Sequence, residues 1–452
     1  MLKIPNTEIT KELFEKITTK EMKIGIMGLG YVGLPLAMEF AEKDYSVIGI
    51  DIDAAKVDDL NEGKSHIIDV SLETVSKAIN TGTFKATTDF SLISELDAIS
   101  ICVPTPLNKN QEPDTSYMEY AVSELLKYIN KPILIVLEST TYPGTTRELF
   151  AKRFQAAGKQ LDKDYFLCFS PERVDPGNLV YQTKQIPKVV GGITTASSAI
   201  AKKLYSTILD KVVVVSSPET AEMSKLIENT FRSINIAFMN EMALMCERMG
   251  LNIWEAIDAA ATKPFGFMPF YPGPGVGGHC IPLDPMYLHW KGKQNKFFNR
   301  FIEMAQEINM NMPYKVVDKV QEAVNYAGKS LKNAKVLLVG ASYKANINDV
   351  RESPTLEVYR ILQEKDAIVS VQDPFVPSFV DSYNQSVSVI QAVEIDYSVY
   401  DCVVILTKHN NIDYDLVLKD SELIVDMRYV WKNKFSEKIF TIGGEVRGDE
   451  KL

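Results

Sequence analysis

The sequence has little cysteine, little histidine and no excess of positive charge. Its 452 residues include five cysteines and four histidines, without a CxxC pair and without histidines close to one another. Disulfide frameworks and zinc sites need clustered ligands, so neither is indicated, and we expect no bound metal. Lysine plus arginine number 49 against 59 aspartates plus glutamates, a net charge of -10. We therefore expect neither a nucleic-acid partner nor binding to an anionic membrane.

Long hydrophobic runs are also missing. No stretch approaches the length of a membrane span, and residues 1–21 are polar and charged, without the apolar core of a signal peptide. We expect a cytoplasmic protein whose first twenty residues form a short helix or arm. The length, with 24% charged and 46% hydrophobic residues, indicates a globular chain of two to four domains.

A dinucleotide-binding pattern lies near the start of the chain. An apolar strand at 23–28 runs into the glycine turn GLGYVG at 28–33, and a helical segment follows at 34–41. The glycines allow a tight turn and close approach of the backbone to a pyrophosphate at the helix N-terminus. The next strand, 47–51, ends in Asp51, whose carboxylate suits a ribose hydroxyl and repels a 2′-phosphate. This pattern predicts NAD rather than NADP; an ordinary glycine turn in a βαβ unit is the alternative.

More strands alternate with helices after this unit. Polar or proline-rich loops follow three of them, at 104–106, 138–144 and 170–177. In a doubly wound sheet, ligands bind at the carboxyl ends of the strands, so we expect these loops to face cofactor and substrate. Turn chemistry alone is the alternative explanation for their composition. The predicted strands are 98–103, 133–137, 165–169 and 211–215.

A long helix is predicted over 218–249. Ser217 can cap it, Pro218 suits its first position and Gly250 suits its end. At 1.5 Å per residue it would span about 48 Å. Apolar residues cover more than one of its faces, so we interpret it as a central spine that also packs against a second subunit.

Three polar residues of this helix, Lys225, Asn229 and Arg232, are spaced to share one face. They are candidates for a binding surface, and a solvated polar stripe is the alternative. A shorter helix follows, with Asn252 and Glu255 placed to form a capping box.

A glycine-rich loop at 275–284 carries the most distinctive chemistry. Three glycines permit close backbone approach or positive φ, and they precede Cys280, with Asp284 four residues later. A buried, inert cysteine is the alternative, but this cysteine lies in a glycine loop rather than in an apolar run. A thiolate can add to an aldehyde, and the thiohemiacetal can lose a hydride to give a thioester. A lysine such as Lys225 would lower the thiol pKa and stabilise the oxyanion, while Asp284 could hold the hydrolytic water.

The last third of the chain begins the strand–helix alternation again. A helical segment at 297–327 contains Pro313, which should kink or break it and mark a domain boundary. The turn at 340–344 lacks the dinucleotide fingerprint, so this domain should bind a different ligand. Its predicted strands are 335–339, 368–372, 402–406 and 423–426.

The predicted fold class is α/β, with two Rossmann-like doubly wound domains joined by a central helical domain that contains the long spine helix. We predict an NAD-binding Rossmann domain with a short N-terminal arm at 1–216. A central domain for dimerisation and the active site follows at 217–312, and a C-terminal Rossmann-like domain at 313–452.

Seven segments carry a family resemblance that runs from Lys23 to Val430. Through them the chain resembles the nucleotide-sugar 6-dehydrogenases, which act on UDP-glucose or UDP-N-acetylhexosamines. The segments are GLGYVGLPLA from Gly28, VPTPLN from Val103, LESTTYPGTT from Leu137, SPERVDPGN from Ser170, KLIENTFRSINIAFMNE from Lys225, KPFGFMPFYPGPGVGGHCIPLDP from Lys263 and DVRESP from Asp349. The resemblance implies that the C-terminal domain binds the UDP-sugar and that the enzyme is a homodimer or a higher homo-oligomer.

The resemblance also implies roles for individual residues. The nucleophile falls on Cys280, the oxyanion-stabilising lysine on Lys225 and the water-orienting aspartate on Asp284. The remaining catalytic positions fall on Asn229, Thr140 and Glu172. The cofactor positions fall on Gly28, Gly30, Tyr31, Val32, Gly33, Asp51, Lys56, Thr105, Thr140 and Arg351. The substrate positions fall on Glu172, Arg173, Lys225, Asn229, Arg232, Tyr271, Gly277 and Lys344.

Two departures from the UDP-glucose enzymes bear on the substrate. Those enzymes have a second glutamate where this chain has Pro176, and a lysine where it has Leu283. The loop motifs resemble the N-acetylhexosamine branch, so we predict oxidation of UDP-N-acetylglucosamine at C6 to the uronate, for surface polysaccharide synthesis. The alternatives are the same chemistry on UDP-N-acetylgalactosamine, UDP-N-acetylmannosamine or UDP-glucose. Different classes are a two-electron dehydrogenase with a structural Cys280 and a non-enzymatic module that binds NAD or UDP-sugar.

Overall fold

The structure is a computed structural model that describes residues 7–67, 70–108, 110–173, 185–432 and 436–444. The chain divides into two compact units. The first comprises Met1–Glu228 and Met286–Lys296, and the second comprises Asn229–Pro285 and Phe297–Leu452.

The first unit contains an eight-stranded sheet in the order β3-β2-β1-β4-β5-β6-β7-β8. Its strands are β1 Lys23–Met27, β2 Ser46–Ile50, β3 Phe84–Thr87, β4 Ala98–Ile101, β5 Ile133–Leu137, β6 Tyr165–Phe169, β7 Lys188–Gly192 and β8 Val212–Val214. The first six are parallel in the order typical of dinucleotide-binding folds. β7 pairs antiparallel with β6, so the last two strands run the other way.

Helices cover the sheet of the first unit on both faces, which explains why β5 and β6 are apolar at every position and fully buried. Two separate apolar clusters form around the sheet, one containing Ile26 and Phe166 and the other Ile99 and Leu167. The helices are α1 Glu8–Thr19, α2 Gly33–Ala41, α3 Ala54–Asn61, α4 Leu72–Asn80, α5 Ser116–Tyr128, α6 Lys152–Ala156 and α7 Thr195–Tyr205. A 3₁₀ helix spans Phe90–Glu95 and a π-helix spans Thr146–Ala151.

Three helices lie in the middle of the sequence. They are α8 Pro218–Met249, α9 Ile253–Ala261 and α10 Asp284–Gln294. The predicted spine helix is confirmed over its whole length, because α8 has 32 residues without a break. The capping role of Asn252 is confirmed too, since its side chain accepts hydrogen bonds from the amides of Trp254 and Glu255.

The second unit contains a five-stranded parallel sheet in the order β10-β9-β13-β14-β15. With its strands counted along the chain, this is the 2-1-3-4-5 order of the other common doubly wound fold, whose ligand site lies between the first and third strands. Its elements are α11 Arg300–Tyr326, β9 Lys335–Val339, α12 Pro354–Glu364, β10 Ile368–Gln372, β11 Ser378–Val380, β12 Ser386–Ser388, a 3₁₀ helix Tyr397–Val399, β13 Cys402–Ile405, α13 Tyr414–Asp420, β14 Ile424–Asp426 and β15 Ile439–Thr441. β11 and β12 form a separate antiparallel pair.

The expected break at Pro313 is not observed. α11 continues from Arg300 to Tyr326 with Pro313 inside it. Met312 and Pro313 are buried there among the apolar residues of the second unit, and this packing outweighs the local hydrogen bond that the proline removes. The domain boundary predicted beside Pro313 therefore has no helix end to mark it, and the three predicted domain ranges stay predictions.

Two general features of the described residues bear on function. No helix there combines the length and the apolar character that a membrane crossing needs. Likewise, no group of three or more histidine, cysteine or acidic side chains in the described part of the chain is arranged to hold a metal ion.

Candidate active site

The glycine turn after β1 is shaped for a ligand. Gly28 has φ +90°, and a Cβ there would lie 2.6 Å from the carbonyl oxygen of Cys102. A Cβ on Gly33 would lie 1.8 Å from the carbonyl oxygen of Gly28. Gly30 differs, because a Cβ there would meet no atom within 4 Å. Two glycines are thus required by internal packing, while the third leaves open space above the turn, where a pyrophosphate would fit.

Asp51 follows β2 and is buried. Its carboxylate accepts hydrogen bonds from the amides of Leu29 at 2.8 Å and Asp53 at 3.1 Å, and from Lys56 Nζ at 3.0 Å. Burial opposes ionisation, but these donors outweigh it and lower the pKa of Asp51. The predicted cofactor residues Asp51 and Lys56 are therefore an ion pair next to the glycine turn, where a fixed negative charge would meet the adenine-side ribose.

The loops after β4 and β5 carry two predicted site residues, Thr105 and Thr140. The carbonyl oxygen of Thr105 accepts a hydrogen bond from the Tyr287 hydroxyl at 2.9 Å. Beyond Thr140, the buried carboxylate of Glu222 accepts hydrogen bonds from the amides of Gly144 and Thr146. These contacts hold both loops at the carboxyl edge of the sheet, the edge that also presents Tyr31 and Val32 of the glycine turn.

Glu172 and Arg173 lie in the loop after β6. Glu172 is half-buried, and its Oε1 accepts a hydrogen bond from the amide of Arg173 at 2.6 Å. The Arg173 guanidinium donates to the carbonyl oxygen of Pro187 at 2.8 Å and pairs with Glu228 of α8 at 2.8 Å. The rest of this motif, including Pro176, lies outside the described residues.

The polar face predicted on α8 is only partly a solvated stripe. Lys225 and Asn229 are buried, with 8% and 4% of their surface exposed, whereas Arg232 is exposed. Leu226, next to Lys225, packs with Tyr142 and Tyr287 in an apolar cluster of the first unit. A lysine and an asparagine one helical turn apart, both withdrawn from water, favour a functional site over a surface stripe.

In the second unit, the glycine loop packs against the segment that contains Tyr343 and Arg351. A Cβ on Gly277 would lie 2.5 Å from Tyr343 Cβ, and Gly278, with φ +86°, would place one 2.8 Å from the Tyr343 ring. The Gly278 amide donates to the carbonyl oxygen of Arg351 at 2.9 Å. The glycines are therefore needed where the loop backbone contacts this segment, which the sequence could not specify.

A turn leads from Cys280 to Asp284, which is the first residue of α10. The Asp284 amide donates to the carbonyl oxygen of Cys280 at 2.9 Å. Asn229 Nδ2 donates to Asp284 Oδ2 at 2.5 Å, and both side chains are buried. Three predicted catalytic residues thus lie together in this unit. The Asn229 amide group therefore holds the Asp284 carboxylate in place.

Cys280 differs from the other cysteines in its exposure. All five fall within the described residues; none is in a disulfide, and only Cys280 is not buried. Burial raises the pKa of Cys402 to about 12 and raises the pKa values of Cys102 and Cys168 as well. The buried thiols are inert as nucleophiles, which leaves Cys280 as the accessible one.

The remaining predicted residues of the second unit are Tyr271, Lys344 and Arg351. The Tyr271 hydroxyl donates to Asp258 Oδ1 at 2.6 Å, and this hydrogen bond raises the pKa of the tyrosine. Arg351 makes a two-pronged ion pair with Asp349, with Nη2 2.7 Å from Oδ2. Lys344 lies in the loop after β9, next to the switch point between β9 and β13 where a ligand of this fold binds.

Sequence reasoning missed a buried charged cluster in the first unit. Lys188, Glu138 and Tyr205 are buried, and Lys188 Nζ and the Tyr205 hydroxyl each donate to the Glu138 carboxylate. Lys188 also lies 3.5 Å from Glu172 Oε2. The only sequence signal is an acid directly after one apolar strand and a lysine at the start of another, and exposed strand ends carry such residues too.

Comparison with known proteins identifies the family. Models of the UDP-glucose/GDP-mannose dehydrogenase family match three parts of the chain: the NAD binding domain at 22–209, the central domain at 219–311 and the UDP binding domain at 337–433. The chain belongs to this family. It is an NAD-dependent UDP-sugar dehydrogenase, as the resemblance of its motifs predicted, and the prediction of NAD as cofactor is confirmed.

Individual relatives cover nearly the whole chain. A UDP-N-acetyl-D-mannosamine dehydrogenase of Methanococcus vannielii is 35% identical over 433 residues, 93% of this chain and 95% of the relative. An NDP-N-acetyl-D-galactosaminuronic acid dehydrogenase of Ralstonia nicotianae is 35% identical over 91% of this chain and 96% of the relative. The solved structure of a UDP-D-ManNAc dehydrogenase from Pyrococcus horikoshii has a TM-score of 0.85 at 31% identity, covering 94% of this chain and 100% of that one. The predicted fold class is confirmed by this likeness.

The residues present fit the cofactor that the family implies. The open space over Gly30, the N-terminus of α2 and the Asp51–Lys56 pair would hold the pyrophosphate and a ribose. NAD, once bound, supplies the hydride acceptor. The assignments of individual catalytic and substrate residues remain predictions.

Proposed function

We propose that this enzyme oxidises C6 of a UDP-N-acetylhexosamine from alcohol to carboxylate in two steps. Each sugar would consume two NAD and one water and give two NADH. The first oxidation yields an aldehyde, the second passes through a thioester on Cys280, and water releases the uronate. The proposal is supported by an accessible cysteine followed, one helical turn later, by an aspartate held in place by Asn229.

The proposed roles follow from the chemistry of each side chain. Cys280 adds to the aldehyde carbon as a thiolate. Lys225 donates to the oxyanion of the tetrahedral adduct, and its burial strengthens that interaction. Asp284 and Glu172 orient the hydrolytic water as acceptors, while Thr140 and Asn229 donate hydrogen bonds at the reacting end of the sugar.

We propose the UDP-sugar contacts on the same reasoning. Lys344 lies beside the ligand position of the second sheet and would neutralise the diphosphate. Arg173, Arg232, Tyr271 and Gly277 would contact the sugar nucleotide, and Arg351 would reach the cofactor. We also propose three domains, at 1–216, 217–312 and 313–452. We propose that the enzyme is a homodimer built on α8.

The identity of the hexosamine needs a direct test. The motifs favoured UDP-N-acetylglucosamine, whereas the relatives from Methanococcus vannielii and Pyrococcus horikoshii are UDP-N-acetyl-D-mannosamine dehydrogenases. We propose UDP-N-acetylmannosamine as the first candidate and UDP-N-acetylglucosamine as the second. The product would be a uronate that glycosyltransferases use for a surface polysaccharide.

The experiment is a comparison of UDP-sugars by NADH formation. UDP-N-acetylmannosamine, UDP-N-acetylglucosamine, UDP-N-acetylgalactosamine and UDP-glucose are each assayed for rate and for NADH per sugar. Two NADH per sugar with an N-acetylated substrate supports the proposal. One NADH per sugar indicates a two-electron dehydrogenase, and faster turnover of UDP-glucose refutes the assignment to N-acetylhexosamines.

A further inference from the structure

A buried lysine connects two strand ends of the first sheet. Lys188 begins β7, and only 6% of its side chain is exposed. Its ammonium bonds to Glu138, which directly follows β5, and lies 3.5 Å from Glu172 Oε2 in the loop after β6. Because β5 and β6 are neighbouring parallel strands, one cation lies between two carboxylates at the edge where ligands bind.

Tyr205 contacts both Glu138 and Lys188 in this cluster. The Tyr205 hydroxyl donates to Glu138, lies 3.2 Å from Ser100 Oγ, and its ring lies 5.3 Å from Lys188 Nζ. Burial would discharge the lysine, but Glu138 and then Glu172 outweigh it and raise the pKa of Lys188. The lysine is therefore a permanent cation near neutrality.

The cluster contains one cation, Lys188, and two carboxylates, Glu138 and Glu172, so its charges do not balance. Glu138 alone would neutralise the lysine, so a purely structural ion pair needs no second carboxylate. Glu172 is nonetheless within reach of the same ammonium, and its side chain is 17% exposed, whereas that of Glu138 is fully buried. The other charged or titratable neighbours are Arg173, whose guanidinium bonds to Glu228 and Pro187, and the buried Cys102.

We propose that Lys188 is a positioning residue for the oxidation: its ammonium keeps the Glu172 carboxylate ionised and oriented, with Glu138 as the anchor that holds the ammonium in place. This rests on the proposed role of Glu172. In this role Lys188 acts through Glu172, because only 6% of its own side chain is exposed. Glu138 competes with Glu172 for the same cation, so changes to Glu138 and to Lys188 should affect Glu172 in opposite directions.

The test compares variants in which Glu138 no longer competes for the ammonium. Glu138→Gln keeps the ammonium and removes its competing carboxylate, whereas Lys188→Met combined with Glu138→Gln removes both buried charges. These two proteins differ only at residue 188. Each is also made with Glu172→Gln, and kcat, KM for both substrates and the pH profile of kcat are measured by NADH formation.

We expect the Lys188 replacement to lower kcat about 10-fold or more, while KM for both substrates changes by less than about 2-fold. In the Glu172→Gln background the same replacement should change kcat by less than about 2-fold, because the residue through which it acts is gone. With Glu172 present, the acid limb of the kcat profile should lie about 1 pH unit higher without the lysine than with it.

Three results would overturn the proposal. They are an equal loss of kcat with and without the Glu172 carboxylate, a loss confined to KM, and an acid limb that does not move. If the doubly changed protein does not fold, as judged by circular dichroism and NAD binding, Glu138→Gln decides alone. Its acid limb must then lie below that of the wild type, and an unchanged limb refutes the proposal.

A matched control removes a neighbour without removing the cation. Tyr205→Phe deletes one hydrogen bond to Glu138 and leaves Lys188 and Glu172 in place, so the acid limb should stay near its wild-type position. The proposed function is judged separately from the NADH count of the wild type. Two NADH per sugar combined with an unmoved acid limb leaves the proposed function standing and overturns only the role of Lys188.

Discussion

At the residue scale, exposure separates Cys280 from the other cysteines of the chain. The sequence predicted a nucleophile because this cysteine lies in a glycine loop, and the structure adds that the other four are buried. It also places Asn229 and Asp284 in hydrogen-bond contact within the same unit. Replacing the sulfur of Cys280 therefore tests whether the reaction passes through a covalent intermediate.

Cys280→Ser should abolish formation of the carboxylate. A serine hydroxyl is barely ionised near neutrality, and the loss of a covalent catalyst raises the barrier by about 4 kcal/mol or more, roughly a thousandfold in kcat. Binding of NAD and UDP-sugar should survive, as measured by fluorescence titration. Cys246→Ala, a change at a buried cysteine of α8, is the control and should retain turnover. Near-normal carboxylate production by Cys280→Ser would make the thiol structural.

A second prediction at this scale concerns cofactor choice. Asp51→Asn removes the charge that would repel a 2′-phosphate and releases Lys56, whose ammonium lies 3.0 Å from it. The ratio of kcat/KM for NAD over NADP should fall about 10-fold, roughly 1.4 kcal/mol of discrimination. Asp53→Asn is a matched control, because it removes a nearby charge while asparagine can still cap α3. An unchanged ratio in Asp51→Asn would exclude this carboxylate as the selecting group.

At the element scale, the loop that carries Lys344 is held by buried polar contacts in the second unit. Asp373 Oδ2 accepts hydrogen bonds from the amides of Ala341 and Ser342 at 2.8 and 2.9 Å, and His409 Nε2 lies 3.1 Å from it. Burial opposes ionisation, but His409 and the amides outweigh it and lower the pKa of Asp373. The folded state therefore favours the ionised carboxylate.

Asp373→Asn should destabilise the second unit, because one side of the amide would present N–H groups to N–H donors. We expect a loss of about 1–3 kcal/mol near neutral pH. The stabilisation by Asp373 is present above the ordinary carboxyl pKa of about 3.9 and is lost as the pH falls through the lower folded-state value. The difference between wild type and variant should therefore shrink at acidic pH.

The measurement is urea unfolding followed by tryptophan fluorescence, since Trp254 and Trp431 both lie in the second unit. KM for the UDP-sugar should rise in the same variant, because the loop positions Lys344. Asp381→Asn, in an exposed turn, is the control and should change neither quantity. A constant stability difference between neutral and acidic pH would contradict the argument.

Local patterns predicted most elements, and the failures have physical causes. Ser217 Oγ accepts a hydrogen bond from the amide of Thr220 at the start of α8. This cap and the GLGYVG turn are short-range features, so sequence alone located them. The continuity of α11 through Pro313 depends on tertiary burial, which overrides local helix chemistry. The contact of Gly277 with Tyr343 and the cluster around Lys188 join residues far apart in sequence, so no spacing rule indicates them.

At the scale of the whole molecule, α8 presents an apolar stripe to solvent in the single chain. Its members are spaced by four or seven residues, as in a helix that packs along a partner helix. Each exposes between 45% and 60% of its surface, an unusual fraction for large apolar side chains repeated along one helix. The residues are Ile227, Phe231, Phe238, Met245 and Met249.

We expect this stripe to form the interface of a homodimer. Replacing Phe238 and Met245 by glutamate would place two charges in each copy of an apolar contact, which costs several kcal/mol unless the charges are paired. We expect the wild type to be dimeric and the double variant to be monomeric at micromolar concentration by light scattering. Tyr383→Glu, a comparable change at an exposed aromatic between β11 and β12, should leave the dimer intact. A monomeric wild type, or a double variant that still dimerises, would mean that this stripe is not the interface.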